Sequence, residues 1–257
     1  ATALIAFSSV MMMAAAAAPV PDVGWSAYGG DAGGTRYSTA AQITPANVDQ
    51  LEVAWTFRTG ELGQGVKDWS RSAFEATPIL YDGTLYLTTS STDVVAVNAV
   101  TGQLRWRHDS RSRYYLHYSD GVSRGVSLWV DSASPPQAVC HARIFAPTLD
   151  GRLLALDAAT GKPCVEFGER GAVNLLLDVR SQFKEGDEWR DYLVTSPPAI
   201  LDDKVIVGSA IGDNRAVLDA IVSVGNAAAC PSNRALAPKA SIWSGVRRHR
   251  MLSSRPV

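Results

Sequence analysis

The chain of 257 residues is long enough to bury a core in one or two domains. Its 24 basic and 25 acidic residues leave a formal net charge of −1. This balance provides no electrostatic basis for binding nucleic acid or an anionic membrane surface. The sequence therefore predicts no nucleic-acid partner.

Residues 1–20 form a segment without a charged side chain. The alanine run before Pro19 offers small-residue cleavage sites, which are typical of an export signal. The alternative is the end of a membrane anchor, because about 18–20 apolar residues can cross a bilayer. A cleaved signal is the favoured interpretation, since alanine is only weakly lipophilic.

Residues 23–60 form a polar segment in which glycines and aromatic residues alternate too closely for a helix of any length. Within it, Thr44-Pro45 followed by Asn47 predicts a short helical turn that has proline at its first position. Residues 51–57 predict a strand that leads into the first structural repeat.

One sequence unit occurs twice in the middle of the chain. The first copy has turns at Asp82-Gly83 and Thr101-Gly102, and the second has them at Asp150-Gly151 and Thr160-Gly161. Such turns between alternating strands are typical of β-hairpins, and a repeated unit of this kind indicates a β-propeller. The copies are 59 residues apart, from Asn98 to Asp157, which exceeds one four-stranded blade. Residues 110–139 are therefore predicted to form a long loop.

The chain contains three cysteines, and their spacing matches no zinc-binding pattern. Cys140 and Cys164 flank the second repeat and could form a disulfide across it in an exported protein. The alternative is a pair of buried free thiols. Cys230 has no candidate partner.

A charged, irregular stretch at residues 168–190 is predicted to be a loop that crosses to the next blade, and a third repeat begins after it. Residues 199–201, the Asp202-Asp203 turn and residues 205–209 predict its first hairpin. From Leu218 onward the sequence becomes basic, and the second half of the repeat does not follow.

Three regions follow from these patterns. Residues 1–20 are a signal peptide or anchor end, residues 21–217 an all-β partial propeller, and residues 218–257 a tail unrelated to that fold. A shifted reading frame or truncated gene is the favoured explanation of the tail, and a disordered basic extension is the alternative.

Several motifs occur in a fixed order before the first repeat. They are WSAYGGD at residues 25–31, TRYS at 35–38, QIT and NV within 42–48, and AWTFRTG at 54–60. Together they closely resemble the amino-terminal start of the pyrroloquinoline quinone (PQQ)-dependent dehydrogenases, most of all the membrane-associated glucose and quinate dehydrogenase branch. The resemblance covers about residues 24–217.

This resemblance implies that the chain contains the first two to three blades of an eight-bladed propeller, joined by tryptophan-docking motifs. PQQ and a divalent cation, Ca²⁺ or Mg²⁺, would lie on the central axis, where loops from every blade converge. With the export signal, it implies a periplasmic protein, associated with the inner membrane if residues 1–20 are an anchor.

Three residues match family positions that contact the quinone, namely Glu75, Arg124 and Thr195. A guanidinium group pairs with carboxylates bidentately and stacks on aromatic faces, which suits a planar ligand with three carboxylates. The alternatives are a strand-end glutamate facing solvent for Glu75 and a surface arginine in a loop for Arg124.

Asp213 and Asn214 match the metal-ligating region of the family. A carboxylate beside an amide supplies the oxygen donors that calcium prefers. Without the resemblance, the Gly-Asp-Asn sequence would be interpreted as a common turn.

The activity implied by the resemblance is oxidation of a sugar, polyol or alcohol, with electrons passing to ubiquinone or a cytochrome. In the family a catalytic aspartate takes the substrate's hydroxyl proton, and it belongs to a later blade. No catalytic residue is assigned here, since Asp178, Asp187 and Asp191 lie in a loop without a matching motif. The sequence therefore predicts that the chain as given is inactive and poorly folded alone.

The alternative function is a non-enzymatic periplasmic propeller that serves as a scaffold for other proteins. The repeats fit both functions. The motifs at residues 25–36, together with Glu75 and Arg124, favour the dehydrogenase, because a scaffold has no reason to place ionic groups toward the axis.

Overall fold

The computed structural model describes residues 24–61, 72–112, 121–176, 193–208 and 221–227. Within these ranges a short 3₁₀ helix spans Val48–Gln50, so the predicted helical turn begins at Val48, three residues after Pro45. The strands in the same ranges are β1 (Ser72–Phe74), β2 (Ile79–Tyr81), β3 (Thr84–Thr88), β4 (Val94–Asn98), β5 (Leu104–His108), β6 (Gly121–Ser123), β7 (Ser127–Val130), β8 (Ala142–Pro147), β9 (Arg152–Asp157), β10 (Ala172–Asn174), β11 (Ala199–Leu201), β12 (Lys204–Gly208) and β13 (Ile221–Asn226).

Most of these strands form three antiparallel sheets in which chain neighbours are also sheet neighbours. Strands β2 to β5 form blade 1, β7 to β10 form blade 2, and β11 to β13 form blade 3. The short strands β1 and β6 instead pair with each other in parallel. This up-and-down order in successive blades confirms the predicted all-β, partial propeller.

Alternate side chains of blade 2 face different neighbouring blades, as the two-residue period of a strand requires. Ile144 and Leu156 pack with Ile79 of blade 1. Phe145, the next residue after Ile144 in β8, packs in a cluster with Val205 of blade 3. Blade 2 is therefore covered on both faces, and the hydrophobic core lies between blades.

Two tryptophans connect successive parts of the chain through a repeated contact. Trp55 Nε1 donates to the carbonyl of Ala99 in blade 1 at 3.2 Å. Trp106 Nε1, from the last strand of blade 1, donates to the carbonyl of Ala158 in blade 2 at 2.9 Å. These contacts confirm the tryptophan-docking arrangement that the family resemblance implies.

The predicted strand at residues 51–57 is wrong, because this segment has no strand pairing. Its apolar side chains instead cover one face of blade 1, where Trp55 and Phe57 pack against Leu87, Val95 and Val97. The apolar residues that suggested a strand at 51–57 are thus explained by their packing on the face of blade 1.

Two predicted loops also contain strands. Residues 110–139 include β6 and β7, and β7 is the first strand of blade 2. Within residues 168–190, β10 closes the other edge of that blade. The hydrophobic pattern failed here because strands of three or four residues give little alternation to detect.

Cys140 and Cys164 form a disulfide, with Cα atoms 5.8 Å apart. This confirms the bridge and excludes the alternative of free thiols. Cys230 lies outside the described residues.

The hairpin predicted for the third repeat is confirmed by β11 and β12. Strand β13 pairs with β12 and lies within residues 218–257, so blade 3 continues past Val217 to Asn226. The assignment of the residues after it stays a prediction. Residues 1–20 lie outside the described ranges, which contain no helix long and apolar enough to span a membrane.

Candidate functional site

The parallel pairing of β1 and β6 positions two of the predicted cofactor residues. Phe74 and Ser123 are partners at the ends of these strands. Glu75 and Arg124 are the next residues in each strand direction. Because parallel strands end at the same edge, these two side chains leave the sheet side by side.

Glu75 and Arg124 form an ion pair, with 3.2 Å between Oε2 and Nη2. Their side chains remain 41% and 40% exposed, so each keeps a face open to solvent. An ion pair this exposed adds little stability. Glu75 is thus a strand-end glutamate that is accessible and paired, and both groups can still accept a ligand.

Thr195 joins this pair from the segment that leads into blade 3. Its hydroxyl accepts a 2.6 Å hydrogen bond from Arg124 Nη1 and is nearly buried. The backbone N–H of Arg124 donates to the carbonyl of Thr195, and the N–H of Thr77 donates to the carbonyl of Arg124. The structure therefore brings Glu75, Arg124 and Thr195 together in one cluster, which we call the axial cluster.

Comparison with known proteins identifies the family of this chain. The PQQ family model, described as the β-propeller domain of glucose/ethanol/alcohol dehydrogenases, matches residues 25–226. The chain belongs to the PQQ-dependent dehydrogenase family.

Individual relatives in this family support the assignment. Quinoprotein glucose dehydrogenase of Escherichia coli (strain K12) is 37% identical over 205 residues, which are 78% of this chain and 25% of the relative. The glycerol dehydrogenase large subunit of Gluconobacter oxydans (strain 621H) is 36% identical over 195 residues, 74% of this chain and 25% of the relative. The chain thus spans about a quarter of the length of these curated relatives.

The fold comparison agrees with the family. The crystal structure of quinohemoprotein alcohol dehydrogenase from Comamonas testosteroni matches with a TM-score of 0.60 and 30% identity. The match covers 82% of this chain and 26% of the solved chain.

The predicted metal ligands of this chain, Asp213 and Asn214, lie outside the described residues. Inside the described ranges, no group of three or more His, Cys, Asp and Glu residues could hold a metal ion. The metal site therefore stays a prediction.

Gly125 was missed by the sequence analysis. Its φ of +133° lies in a region that side-chain-bearing residues rarely adopt, and an added Cβ would approach the Thr77 carbonyl oxygen to 2.9 Å. The absent side chain allows the segment after β6 to lie directly against the segment after β1.

Gly125→Ala is expected to lower the free energy of unfolding by about 1–3 kcal/mol, from backbone strain and the contact with Thr77. Urea unfolding followed by circular dichroism measures this change. Gly208→Ala is the matched control, because no atom in the described part of the chain lies within 4 Å of the added Cβ there. Equal stability of the Gly125 variant and the wild type would contradict the prediction.

Glu61 was also missed, although it is a buried carboxylate. Its Oε2 accepts the N–H of Ser90 at 2.9 Å, and its Oε1 accepts the N–H of Ser91 at 2.8 Å as well as the Ser91 hydroxyl. Burial favours the neutral acid, but hydrogen bonds from Ser91, Thr89 and Ser90 outweigh it and hold the pKa of Glu61 below its ordinary value. The run of hydroxyl residues at 89–92 is visible in the sequence, but no local pattern pairs it with Glu61.

Proposed function

We propose that this chain contributes part of the quinone site of a periplasmic dehydrogenase that oxidises a sugar, polyol or alcohol with PQQ. Electrons would then pass to ubiquinone or a cytochrome. The observation that carries the proposal is the axial cluster, in which Glu75, Arg124 and Thr195 come from the segments leading into three successive blades.

The chemistry of the axial cluster fits the family's cofactor. Arg124 presents a half-exposed guanidinium group, which can pair with a carboxylate or carbonyl oxygen and stack on a planar ring. The Thr195 hydroxyl already accepts from Arg124, so its own hydrogen can be donated to an oxygen atom of a ligand. Glu75 balances the charge of Arg124 and provides an acceptor beside it.

Oxidation of the substrate's hydroxyl carbon would rely on bound PQQ as the two-electron acceptor. The residues of this chain would orient the cofactor. Arg124, held on one side by Glu75 and on the other by Thr195, has little freedom to rotate when a ligand binds. Such preorganisation reduces the entropic cost of binding.

The metal, the compartment and the substrate belong to the same proposal. Asp213 and Asn214 would ligate Ca²⁺ or Mg²⁺ through hard oxygen donors. The disulfide between Cys140 and Cys164 supports an oxidising compartment such as the periplasm. The names of the relatives support sugar, polyol and quinate-type substrates.

The test is a titration of the purified chain with PQQ and CaCl₂, followed by equilibrium dialysis. Arg124→Gln is expected to weaken PQQ binding by about 10- to 100-fold, because charge-assisted hydrogen bonds contribute about 1.5–3 kcal/mol. Arg105→Gln, at an exposed position of β5, is the matched control and should leave the affinity unchanged.

Absence of PQQ binding, or equal affinities for the two variants, would overturn the proposal. A dye-linked assay of PQQ-loaded protein with glucose, glycerol, quinate and 1-butanol then tests the substrate class. Substrate-dependent dye reduction that requires PQQ would support that class and would contradict the predicted inactivity of the chain as given.

A further inference from the structure

The parallel pair that ends at the axial cluster is attached to one end of blade 1 by two side-chain hydrogen bonds among the described residues. The Ser90 hydroxyl donates to the carbonyl of Ala73 in β1 at 3.2 Å. The Ser123 hydroxyl in β6 donates to Thr88 Oγ1 at 2.7 Å. Both short strands are therefore held by the end of the hairpin formed by β3 and β4, and the turn at residues 89–92 provides one of the two attachments.

The 89–92 turn is closed by its own backbone and capped by Glu61. The N–H of Thr92 donates to the carbonyl of Thr89 at 3.0 Å. The N–H groups of Ser90 and Ser91, in the middle of the turn, both donate to Glu61. Because these groups are largely buried, they would lose most access to water if the carboxylate were removed.

We propose that Glu61 is a positioning residue for the axial cluster: its carboxylate fixes the 89–92 turn, and Ser90 transmits this to β1, which places Glu75 beside Arg124. The role in cofactor binding rests on the proposed function. The role in holding β1 and β6 does not.

Arg107 provides a matched comparison in the same region. Its guanidinium group donates to Asp93 Oδ2 at 3.0 and 2.7 Å and to the carbonyl of Thr59 at 2.7 Å. It therefore connects the segment that contains Thr59 and Glu61 to the hairpin of β3 and β4. Among the described residues it makes no hydrogen bond to β1 or β6, so its loss should leave the axial cluster in place.

Hydrogen–deuterium exchange of the full chain without any ligand tests the structural step. The reporters are the amides of Thr77 and Arg124, which donate to Arg124 and Thr195 respectively. Glu61→Gln, which replaces one acceptor oxygen by a donor group, should raise their exchange rates about tenfold. Ser90→Ala, which keeps both backbone bonds to Glu61, should raise them by a similar factor, whereas Arg107→Gln should change them less than twofold.

Unchanged exchange in both the Glu61 and Ser90 variants, or an equal increase in the Arg107 variant, would overturn the inference. Ser90→Ala decides the matter if Glu61→Gln fails to fold, because it removes only one hydroxyl group.

PQQ affinity tests the functional step separately. Glu61→Gln and Ser90→Ala should each weaken PQQ binding about fivefold. The double variant should bind PQQ as tightly as the single variant with the lower affinity, because both side chains act through the same hydrogen bond from Ser90 to β1. Additive effects, or wild-type affinity at matched thermal stability, would contradict the role in cofactor binding. If the wild type itself binds no PQQ, the proposed function fails, while the exchange measurement still decides whether Glu61 positions the cluster.

Discussion

Replacing both bridged cysteines, in the variant Cys140→Ala with Cys164→Ala, is expected to lower the free energy of unfolding by about 3.5 kcal/mol. The bridge links positions 24 residues apart, and closing a loop of about 25 residues in the unfolded chain has about this value in the chain-entropy treatment. Urea unfolding, followed by tryptophan fluorescence, measures the change.

The folded geometry of this region does not depend on the bridge alone. The Asp157 carboxylate accepts the N–H of Cys140 at 2.6 Å and the N–H of Thr160 at 2.8 Å, and the N–H of Cys164 donates to Ala155. The loss of stability should therefore arise mainly because the unfolded chain gains conformational entropy when the bridge is absent. Reduction with dithiothreitol should lower the free energy of unfolding of the wild type by a similar amount and leave that of the double variant unchanged. Equal urea midpoints for oxidised wild type and variant would contradict this expectation.

Gly161→Ala is expected to lower the free energy of unfolding by about 2–5 kcal/mol. Gly161 has a φ of +69°, and an added Cβ would lie 2.5 Å from the Trp106 ring. Left-handed backbone strain accounts for about 1–2 kcal/mol, and overpacking against the indole accounts for about 1–3 kcal/mol. The same urea titration provides the measurement.

Gly83→Ala separates these two contributions. Its φ of +62° is similar, but no atom of the described residues lies within 4 Å of the added Cβ. The control variant should therefore show only the strain, about 1–2 kcal/mol. If both variants lose the same stability, the close approach of Trp106 contributes nothing to the interface between blades 1 and 2.

The hairpins were predictable from the sequence because local chemistry determines them. Asp82-Gly83 and Thr101-Gly102 occupy positive-φ turns in the structure, where glycine is favoured at the second position. The three residues of the axial cluster were found by matching motifs, and no local pattern of polarity places them together.

The parallel pair of β1 and β6 could not be predicted in the same way. Each strand has only three residues, and their partners are 49 positions apart in the chain, as Ser72 and Gly121 show. Glu61 escaped notice for a similar reason, since its partners Ser90 and Ser91 are 29 and 30 residues away. Burial of a carboxylate depends on such distant donors, and a single sequence does not reveal them.

Glu75, Arg124 and Thr195 lie in the segments that lead into three successive blades, so substitutions far from the cluster can change its geometry. The spacing of these three side chains depends on how far each blade is rotated relative to the next. Side chains between blades, such as Ile144 and Phe145, set that rotation through their volume. In the proposed function, a change of one methylene group in the core would thus alter PQQ affinity through the angle between blades, while Glu75, Arg124 and Thr195 stay the same.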